Sequence, residues 1–412
     1  MVLGSDDSFR KAEDLMLFVE NEDTNGMKVQ STGIWKRKNR FMANKEFHKS
    51  HSNGTKTKLE IFDRYFRESL PVFVHSSAFD EIYIYDLFAG KGKDENGENG
   101  TSLNILGGII PHCEAIKLKR KNIYVILNDN KEAEALSDNV TEFLNLCDKD
   151  CAIGDCILKR DENLIVKSND FEDYFNKTIY PRLKDKKKAA KIIFLDPFNF
   201  VMNEALFEKL TSLKSTDFIC FMPSFYLRRF KNTNAFESFI KKENLNFDET
   251  RANECHRVIA NYFETLVKDK EYYIGHFSIK YDSGYYGVVF GSSHTFGAEK
   301  FQKVCWGLDP CTGEADYDID RTLTYGGQTV LFEEESIPEK TKKFKEELRK
   351  NILNGVIKTD VEAYKFALKN RCLPKMSVEV LKELMKENKI EKIKTHSSDI
   401  HQIKEPLNIQ LK

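Results

Sequence analysis

The chain has 412 residues, a length that favours two domains over one. Hydrophobic residues make up 41% and charged residues 31%, with 9 prolines and 21 glycines, which excludes a disordered or low-complexity chain. The 64 Lys and Arg residues nearly balance the 65 Asp and Glu residues, so the net charge of -1 excludes a global attraction to nucleic acid or membranes.

Cysteine spacing and hydropathy indicate the cellular compartment of the protein. The nine cysteines are irregularly spaced, the chain starts with hydrophilic residues, and no apolar run is long enough to cross a bilayer. We therefore expect a cytoplasmic protein that binds no membrane.

The first element follows a mixed and weakly periodic extension, residues 1–50, which includes a basic aromatic patch at residues 35–41. Apolar side chains then recur at intervals of three and four residues: Leu59, Phe62, Phe66 and Leu70. This spacing predicts an amphipathic helix that begins near Thr55 and ends near Pro71.

Short apolar runs then alternate with helical patterns. The predicted strands cover residues 82–85, 123–127, 164–166, 192–195 and 218–222. The clearest predicted helices between them cover residues 131–147 and 204–213. This alternation predicts a Rossmann-like α/β sheet with helices on both faces and with ligands at the carboxyl ends of the strands. Two later runs, residues 272–281 and 285–293, are typical of an antiparallel edge.

The last part of the chain is helical and charged. Gly355 is predicted to cap one helix, Thr359 and Glu362 have the spacing of a capping box, and Ser377 is expected to cap a third helix. With the following "KIEKIK", the pattern resembles a winged helix-turn-helix, after which the last residues are expected to fray. The predicted domains are residues 1–50, 51–330 and 335–412.

The strongest motif follows the first predicted strand. Its residues are Asp86, Phe88, Ala89, Gly90 and Gly92 in "DLFAGKG". In class I methyltransferases, a turn of this kind holds S-adenosylmethionine (SAM): glycines let the backbone approach the methionine moiety, and the acid accepts from its ammonium group. A plain glycine-rich connection remains the alternative.

The ends of the next two strands carry further acids. Asp129 is placed to bind ribose hydroxyls, although it and Asn128 would serve equally well as a helix N-cap. Asp170 is suited to the exocyclic amine of adenine and Phe171 to its ring face, and an exposed turn explains them equally well.

The fourth predicted strand ends in Asp196, Pro197, Phe198 and Asn199. Methyltransferases that modify amino nitrogens carry a similar loop with two prolines, in which the acid accepts from the target amine and the aromatic ring stacks on its base. One proline is missing here, and an ordinary Asp-Pro turn is the alternative. A cytosine-carbon methyltransferase would need a Pro-Cys nucleophile, for which Cys311 is the sole and disfavoured candidate.

Several other patterns are weak. The spacing of Cys147, Cys151 and Cys156 matches no zinc or radical-enzyme motif, so we expect no metal site. A basic and aromatic segment, residues 225–231, could contact nucleic acid. The lysines of the predicted recognition helix are offset by neighbouring glutamates, which leaves a protein partner open as well.

Several segments together resemble the three-Cys-motif partner protein (TcmP) family over residues 55–320. They are "TKTKLEIFDRYFRESLPVF", "IYDLFAGKG", "GTSLNIL", "IIFLDPF" and "GSSHTFGAEKFQKVCWGLDPCTGEADYDID". The resemblance implies a SAM-dependent methyltransferase with a C-terminal winged-helix-like segment and a three-Cys-motif protein as partner. Lys91 stands where the family commonly has proline. The last of these segments, residues 291–320, carries most of the resemblance and is called the late block. Its His294 is predicted to be a base or substrate ligand, or else a structural helix cap.

Two hypotheses follow from the sequence. The first is a SAM-dependent methyltransferase that acts on a nitrogen of nucleic acid. The second is a non-catalytic partner subunit that binds SAM or a nucleotide and recruits a modifying enzyme.

Overall fold

A computed structural model describes residues 53–149, 151, 156–160, 162–197, 201–223, 251–281, 284–319 and 338–412. They form two compact units. One takes in the chain up to Pro197 together with Ser212–Ile219, and the other takes in Phe198–Thr211 and Cys220–Lys412. The basic aromatic patch at residues 35–41 and the segment 225–231 lie outside the described residues. The limits of the three domains stay a prediction.

Seven strands form one sheet in the order β3-β2-β1-β4-β5-β7-β6. They are β1 (Glu81–Asp86), β2 (Asn122–Asn128), β3 (Leu164–Lys167), β4 (Ala189–Leu195), β5 (Thr216–Met222), β6 (Tyr273–Tyr281) and β7 (Gly284–Ser292). Strand β1 pairs in parallel with β2 and β4, and β2 pairs in parallel with β3. Strands β6 and β7 are antiparallel. All seven predicted strands are confirmed, as is the antiparallel edge.

The strand order confirms the Rossmann-like class I methyltransferase sheet. The chain runs outward from β1 to β3 in one direction and to β5 in the other. Because right-handed crossovers in opposite directions place their helices on opposite sides, helices cover both faces. Every residue of β4 and β5 is buried, which explains why residues 192–195 and 218–222 are continuously apolar rather than alternating.

Twelve described helices accompany the sheet. They are α1 (Asn53–His75), α2 (Thr101–Ile109), α3 (Cys113–Leu118), α4 (Ala133–Lys149), α5 (Phe171–Tyr174), α6 (Tyr180–Leu183), α7 (Glu204–Ser212), α8 (Cys255–Leu266), α9 (Thr295–Leu308), α10 (Glu339–Leu353), α11 (Asp360–Lys369) and α12 (Pro374–Lys386). None of them combines the length and apolarity that a bilayer crossing requires.

The prediction that α1 ends near Pro71 is wrong, because the helix continues to His75 with Pro71 inside it. Proline removes one backbone hydrogen bond and disfavours a helix interior. Here the next three residues, Val72, Phe73 and Val74, are all buried. Burial of their apolar side chains outweighs the local cost of the proline.

The helical C-terminal part confirms two of its three predicted caps. Gly355 follows α10 with a left-handed φ of +67°. Thr359 and Glu362 form the reciprocal capping box, with both hydrogen bonds at 3.1 Å. The prediction for Ser377 is wrong: α12 already begins at Pro374, and the buried Ser377 hydroxyl donates to the Ala363 carbonyl at 3.0 Å.

The C-terminal residues do not fray, so that prediction is wrong as well. Ile390 and Leu411 form an antiparallel bridge, and Thr359 and Asn408 form another. The end of the chain is therefore fixed between the start of α11 and the segment after α12. Helices α10 to α12 with this small β-ribbon form a winged helix-turn-helix.

Candidate functional site

Asp86 ends β1 and is fully buried, with 0% of its surface exposed. Its Oδ1 accepts a hydrogen bond from the Phe88 backbone N–H at 3.4 Å. Its Oδ2 has no hydrogen-bond partner among the described residues. A buried carboxylate oxygen without a donor is costly, so this atom is suited to a ligand cation or donor.

Burial chiefly, then the neighbouring charge of Asp196 and to a smaller extent that of Asp129, raise the pKa of Asp86 to about 8. The Phe88 N–H and the Lys58 ammonium act in the opposite direction. The carboxyl group is therefore mostly protonated at neutral pH in the ligand-free protein. A cation held against Oδ2 would favour ionisation.

The glycine turn follows directly. Gly90 and Gly92 have left-handed φ angles of +57° and +85°. A Cβ at Gly92 would lie 3.0 Å from the Leu136 side chain, whereas one at Gly90 would have nothing within 4 Å. The space beside Gly90 is thus open, and its backbone is accessible to a ligand as the methyltransferase motif requires.

Asp129 joins this turn to the end of β2. Its Oδ2 accepts from the Gly90 N–H at 3.0 Å, and its Oδ1 accepts from the N–H groups of Lys131 and Glu132 at 2.9 Å each. It therefore serves the capping role given as its alternative and also fixes the glycine turn. Its lone pairs that are not used in these bonds remain suited to ribose hydroxyls.

Asn128 has a separate structural role. Its amide donates to the carbonyl of Asn169 at 3.1 Å and accepts from the N–H of the same residue at 3.1 Å. The side chain is buried and connects the ends of β2 and β3. The sequence left open which of Asn128 and Asp129 faces a ribose, and these contacts favour Asp129.

The loops after β1 and β3 meet through aromatic rings. Phe88 and Phe171 lie 4.9 Å apart between ring centroids, and both are half-buried. Asp170 caps α5 by accepting from the Asp173 N–H at 3.1 Å. Asp170 is exposed, so it keeps acceptor capacity for a ligand amine. The structure thus brings Phe88, Asp129 and Phe171 to the same edge of the sheet as Asp86.

At the end of β4, Asp196 forms an ion pair with Lys58 of α1. Lys58 is not among the site residues predicted from the sequence. Lys58 precedes Phe62 by one helical turn, and Asp196 follows Phe194 by two strand positions, so each pair shares a face. Phe62 and Phe194 pack with their ring centroids 4.1 Å apart. These two periodicities were the available signal for the ion pair.

The other predicted acceptor residues have mixed outcomes. Pro197 is buried directly after Asp196. Phe198 and Asn199 lie outside the described residues. His294 belongs to the second unit, and its Nδ1 accepts from the Phe296 N–H at 3.1 Å at the start of α9. It therefore serves as the helix cap given as its alternative.

The late block that carries most of the family resemblance is a structural core of the second unit. Asp309 accepts from the Cys311 N–H at 3.0 Å and from the Glu314 N–H at 3.1 Å, which holds the turn closed. Buried Glu314 pairs with Lys340 at 2.9 Å and also with Arg257. These two cations outweigh the effect of burial and lower the pKa of Glu314 to about 2.

Trp306 ties the same block to the helical part of the chain. Its indole N–H donates to the Arg371 carbonyl at 3.1 Å. Its ring packs in one cluster with Phe344 of α10 and Leu381 of α12. The block therefore has a packing role within the second unit.

Cysteines and metal ligands give no catalytic assignment. The described cysteines are free, and burial raises the pKa of the Cys311 thiol, which disfavours a nucleophilic thiolate. One described group, Glu299, Asp399 and His401, has ligand atoms within 4.8 Å of one another. The Lys303 ammonium lies 3.0 Å from Glu299 Oε1 and already neutralises that acid.

A depression of about 530 Å³ lies at the opposite end of the parallel strands, where Asn122 begins β2. Cationic and polar side chains line it, among them Lys117, Arg120 and Arg160. It is remote from the carboxyl ends of β1, β2 and β4, so it takes no part in the site around Asp86.

Residues 316–397 match the family model described as the GMT-like wHTH domain. The helical C-terminal part is accordingly a winged helix-turn-helix domain. No curated protein sequence matches the chain significantly.

Two solved structures are similar to the chain. One is the O-methyltransferase TomG from Streptomyces achromogenes, involved in tomaymycin synthesis, in complex with SAM; it is 11% identical with a TM-score of 0.29, and the alignment covers 69% of this chain and 97% of TomG. The other is Trm1 from Pyrococcus horikoshii with SAM; it is 15% identical with a TM-score of 0.34, and the alignment covers 87% of this chain and 91% of Trm1.

Proposed function

We propose that the protein is a SAM-dependent methyltransferase that acts on a nitrogen atom of nucleic acid. The observation that carries the proposal is the Asp86 carboxyl group, which is buried, has one oxygen without a hydrogen-bond partner among the described residues, and stands beside a left-handed glycine turn. The ammonium group of SAM would supply the missing donor and positive charge. The residues present therefore fit the cofactor.

Each of the other predicted cofactor residues has a role that its contacts support. Gly90 leaves the backbone open to the methionine moiety, and Gly92 supplies the second left-handed conformation of the turn. Asp129, fixed by the Gly90 N–H, would accept from ribose hydroxyls. Phe88 and Phe171, which pack on each other, would contact the adenine ring. Ala89 fixes the turn, because its N–H donates to the Asn128 carbonyl at 3.0 Å. Asp170 would accept from the adenine amine.

Asp196 and Lys58 form the acceptor side of the proposed site. The ion pair holds the Asp196 carboxylate in place at the end of β4, with the two side chains 24% and 20% exposed. A target amine would compete with the Lys58 ammonium for this carboxylate. Asp196 would then orient the amine lone pair. Pro197 follows it directly, and Phe198, which lies outside the described residues, stays the predicted stacking partner of the target base.

When bound, SAM supplies an already activated methyl group. The chain's own contribution is alignment of the acceptor nitrogen, exclusion of water and acceptance of a hydrogen bond by Asp196. No nucleophilic side chain is needed. This agrees with the protonated state of the Cys311 thiol. His294 caps α9, and a role as base or substrate ligand stays a prediction.

The finer assignments also belong to the proposal. The resemblance of residues 55–320 supports membership of the TcmP family and, with it, a three-Cys-motif protein as partner. The winged helix-turn-helix domain supports nucleic acid as the substrate class.

A second candidate function is a non-catalytic SAM- or nucleotide-binding partner subunit. The observation in its favour is that Lys58 already occupies the carboxylate expected to receive the acceptor amine. Under this alternative the Asp86 turn binds its ligand unchanged, and Asp196 has a purely structural role.

Two measurements test the proposal. Calorimetry with SAM and with its demethylated product tests the cofactor site, and absence of binding by either molecule would reject it. A radiolabelled methyl-transfer screen over DNA, tRNA and protein, with the partner protein present or absent, then separates an enzyme from a binding subunit. Transfer that Asp196→Ala abolishes supports the first function, and SAM binding without transfer to any substrate supports the second.

A further inference from the structure

A stripe of three lysines runs along the outer face of α12. Lys375, Lys382 and Lys386 are seven and four residues apart, an interval at which helical positions share one face. All three are exposed, and none forms an ion pair within the part of the chain that the structure describes. The stripe is about 16 Å long, given the helical rise of about 1.5 Å per residue.

The glutamates of the same helix lie beside this stripe and face α10. Lys345 of α10 lies 2.6 Å from Glu379 and 4.0 Å from Glu383. Arg349 of α10 donates to Glu387 at 3.0 Å. The expectation that these glutamates offset the lysines of α12 is therefore wrong, because cations of the neighbouring helix already engage their carboxylates.

Three further lysines extend the stripe after α12. Lys389, Lys392 and Lys394 are exposed, and their ammonium groups form no ion pair within the part of the chain that the structure describes. Arg349 chiefly, and Lys389 to a smaller extent, lower the pKa of Glu387. Lys389 is held in the wing, because its carbonyl accepts from the Lys412 N–H at 3.0 Å. We call the six residues, Lys375, Lys382, Lys386, Lys389, Lys392 and Lys394, the lysine surface.

The chemistry of the lysine surface favours one kind of ligand. The exposed positions from the start of α12 to its C-cap hold only lysine and glutamate. Lysine is a compact point charge, and the side chains that read base edges in two-point contacts, such as Arg, Asn and Gln, are absent from these positions. A surface of this kind binds a regular row of negative charges without reading bases.

We infer that the lysine surface binds the phosphodiester backbone of a nucleic acid and does so without base specificity. A phosphodiester backbone repeats its charges along the whole length of such a stripe. The inference rests on the proposed function for the choice of nucleic acid as the polyanion, and it assigns to the winged domain the recruitment of that substrate. Selection of the target base is left to the Asp196 side of the methyltransferase fold.

Fluorescence anisotropy with the full chain tests this inference. The probes are labelled oligonucleotides of one length: duplex DNA, single-stranded DNA, duplex RNA and single-stranded RNA, each titrated between 50 and 200 mM salt. The variant is K375Q/K382Q/K386Q, and K375R/K382R/K386R tests rescue by charge. The matched control K268Q/K350Q/K369Q removes the same charge from exposed lysines outside α12.

The wild type is expected to bind at least one probe with a steep salt dependence. Loss of three phosphate contacts lowers the slope of log affinity against log salt by about 2.7 on duplex DNA or about 2.1 on single strands. On duplex DNA, the fold-decrease in affinity between 50 and 200 mM salt is then about 40 times smaller for the glutamine variant than for the wild type. The control and the arginine variant should keep the wild-type slope, and the four probes show which nucleic acid is preferred.

Equal slopes for the glutamine variant and the control would overturn the inference, as would absence of binding to all four probes by the wild type. SAM binding is measured on the same preparations. Nucleic-acid binding through the lysine surface without SAM binding would refute the proposed function and leave the inference intact. If the glutamine variant keeps the wild-type salt dependence, SAM binding and methyl transfer, the inference is refuted and the proposed function stands.

Discussion

Replacement of Asp86 by asparagine tests whether the buried carboxyl group of Asp86 destabilises the ligand-free protein. Asp86 has a pKa of about 8 in the folded protein against an ordinary value of 3.8, chiefly because it is buried. The folded protein therefore binds this proton more tightly than the unfolded chain does. The stability contribution of Asp86 is intact below pH 3.8 and is lost as the pH rises from 3.8 to about 8.

The magnitude follows from the pKa difference. Each pH unit between the two values costs about 1.4 kcal/mol of folding free energy. The carboxyl group therefore destabilises the ligand-free protein by roughly 1.7 kcal/mol at pH 5 and by roughly 4 kcal/mol at pH 7. Asp86→Asn removes the titrating group and keeps the shape of the side chain. The gain in stability from this substitution should grow by roughly 2.5 kcal/mol between these two pH values.

Urea unfolding of the ligand-free wild type and variant at pH 5, 6 and 7 measures this difference. Asp80→Asn is the matched control, because it removes an exposed carboxylate one residue before β1. The control should show no such growth with pH. If the difference in unfolding free energy between Asp86→Asn and wild type stays constant from pH 5 to pH 7, Asp86 is ionised and hydrogen-bonded in the ligand-free protein. The main observation in favour of the cofactor proposal would then be lost.

Three other predictions follow. Asp196→Ala should lower methyl transfer at least about 100-fold and change the SAM dissociation constant less than about threefold, because only the acceptor loses its hydrogen-bond partner; calorimetry and transfer assays measure both, and unchanged turnover would remove the assigned role. Gly313→Ala places a Cβ 2.6 Å from Trp306 Nε1 at a φ of +62°, whereas Gly355→Ala at a φ of +67° meets open space. The first should cost several kcal/mol of stability and the second about 1 kcal/mol, and equal melting temperatures would contradict the packing assigned to the late block. Burial lowers the pKa of His256 to about 3, so stability is lost as pH falls from 6.5 towards 3. Between pH 6.5 and pH 5, the wild type should lose roughly 1.7 kcal/mol more folding free energy than His256→Leu, as measured by urea unfolding. An identical pH dependence of the two proteins would refute the burial of a neutral His256.

The sheet was predictable because its signals are local. Strands β4 and β5 contain the continuous apolar runs 192–195 and 218–222, since both faces of each strand are buried. The capping box of Thr359 and Glu362 likewise depends on residues three positions apart. The glycine turn could be located for the same reason, because its acid and glycines are adjacent in sequence.

The wrong or missing predictions concern residues whose contacts lie elsewhere in the sequence. Helix α1 continues through Pro71 because buried neighbours outweigh a local rule. The ion pair of Lys58 and Asp196 joins residues 138 positions apart, so local periodicity indicates the face of each side chain but not that the two pair with each other. The lysines of α12 are expected from the sequence to be offset by the glutamates beside them on the same helix. In the structure, Lys345 and Arg349 of α10 form ion pairs with Glu379 and Glu387. Sequence proximity is a poor guide to which charges meet on a helical surface.

The most direct test of the central claim is calorimetric titration of SAM as a function of pH. Binding requires an ionised Asp86 with a pKa of about 8 and a protonated ligand amine with a pKa of about 7.8. The affinity should therefore rise about 20-fold from pH 6 to a maximum near pH 8 and fall above it. In Asp86→Asn the affinity should be much weaker, without the rise below pH 8. A SAM affinity that is independent of pH and unchanged in Asp86→Asn would contradict the account.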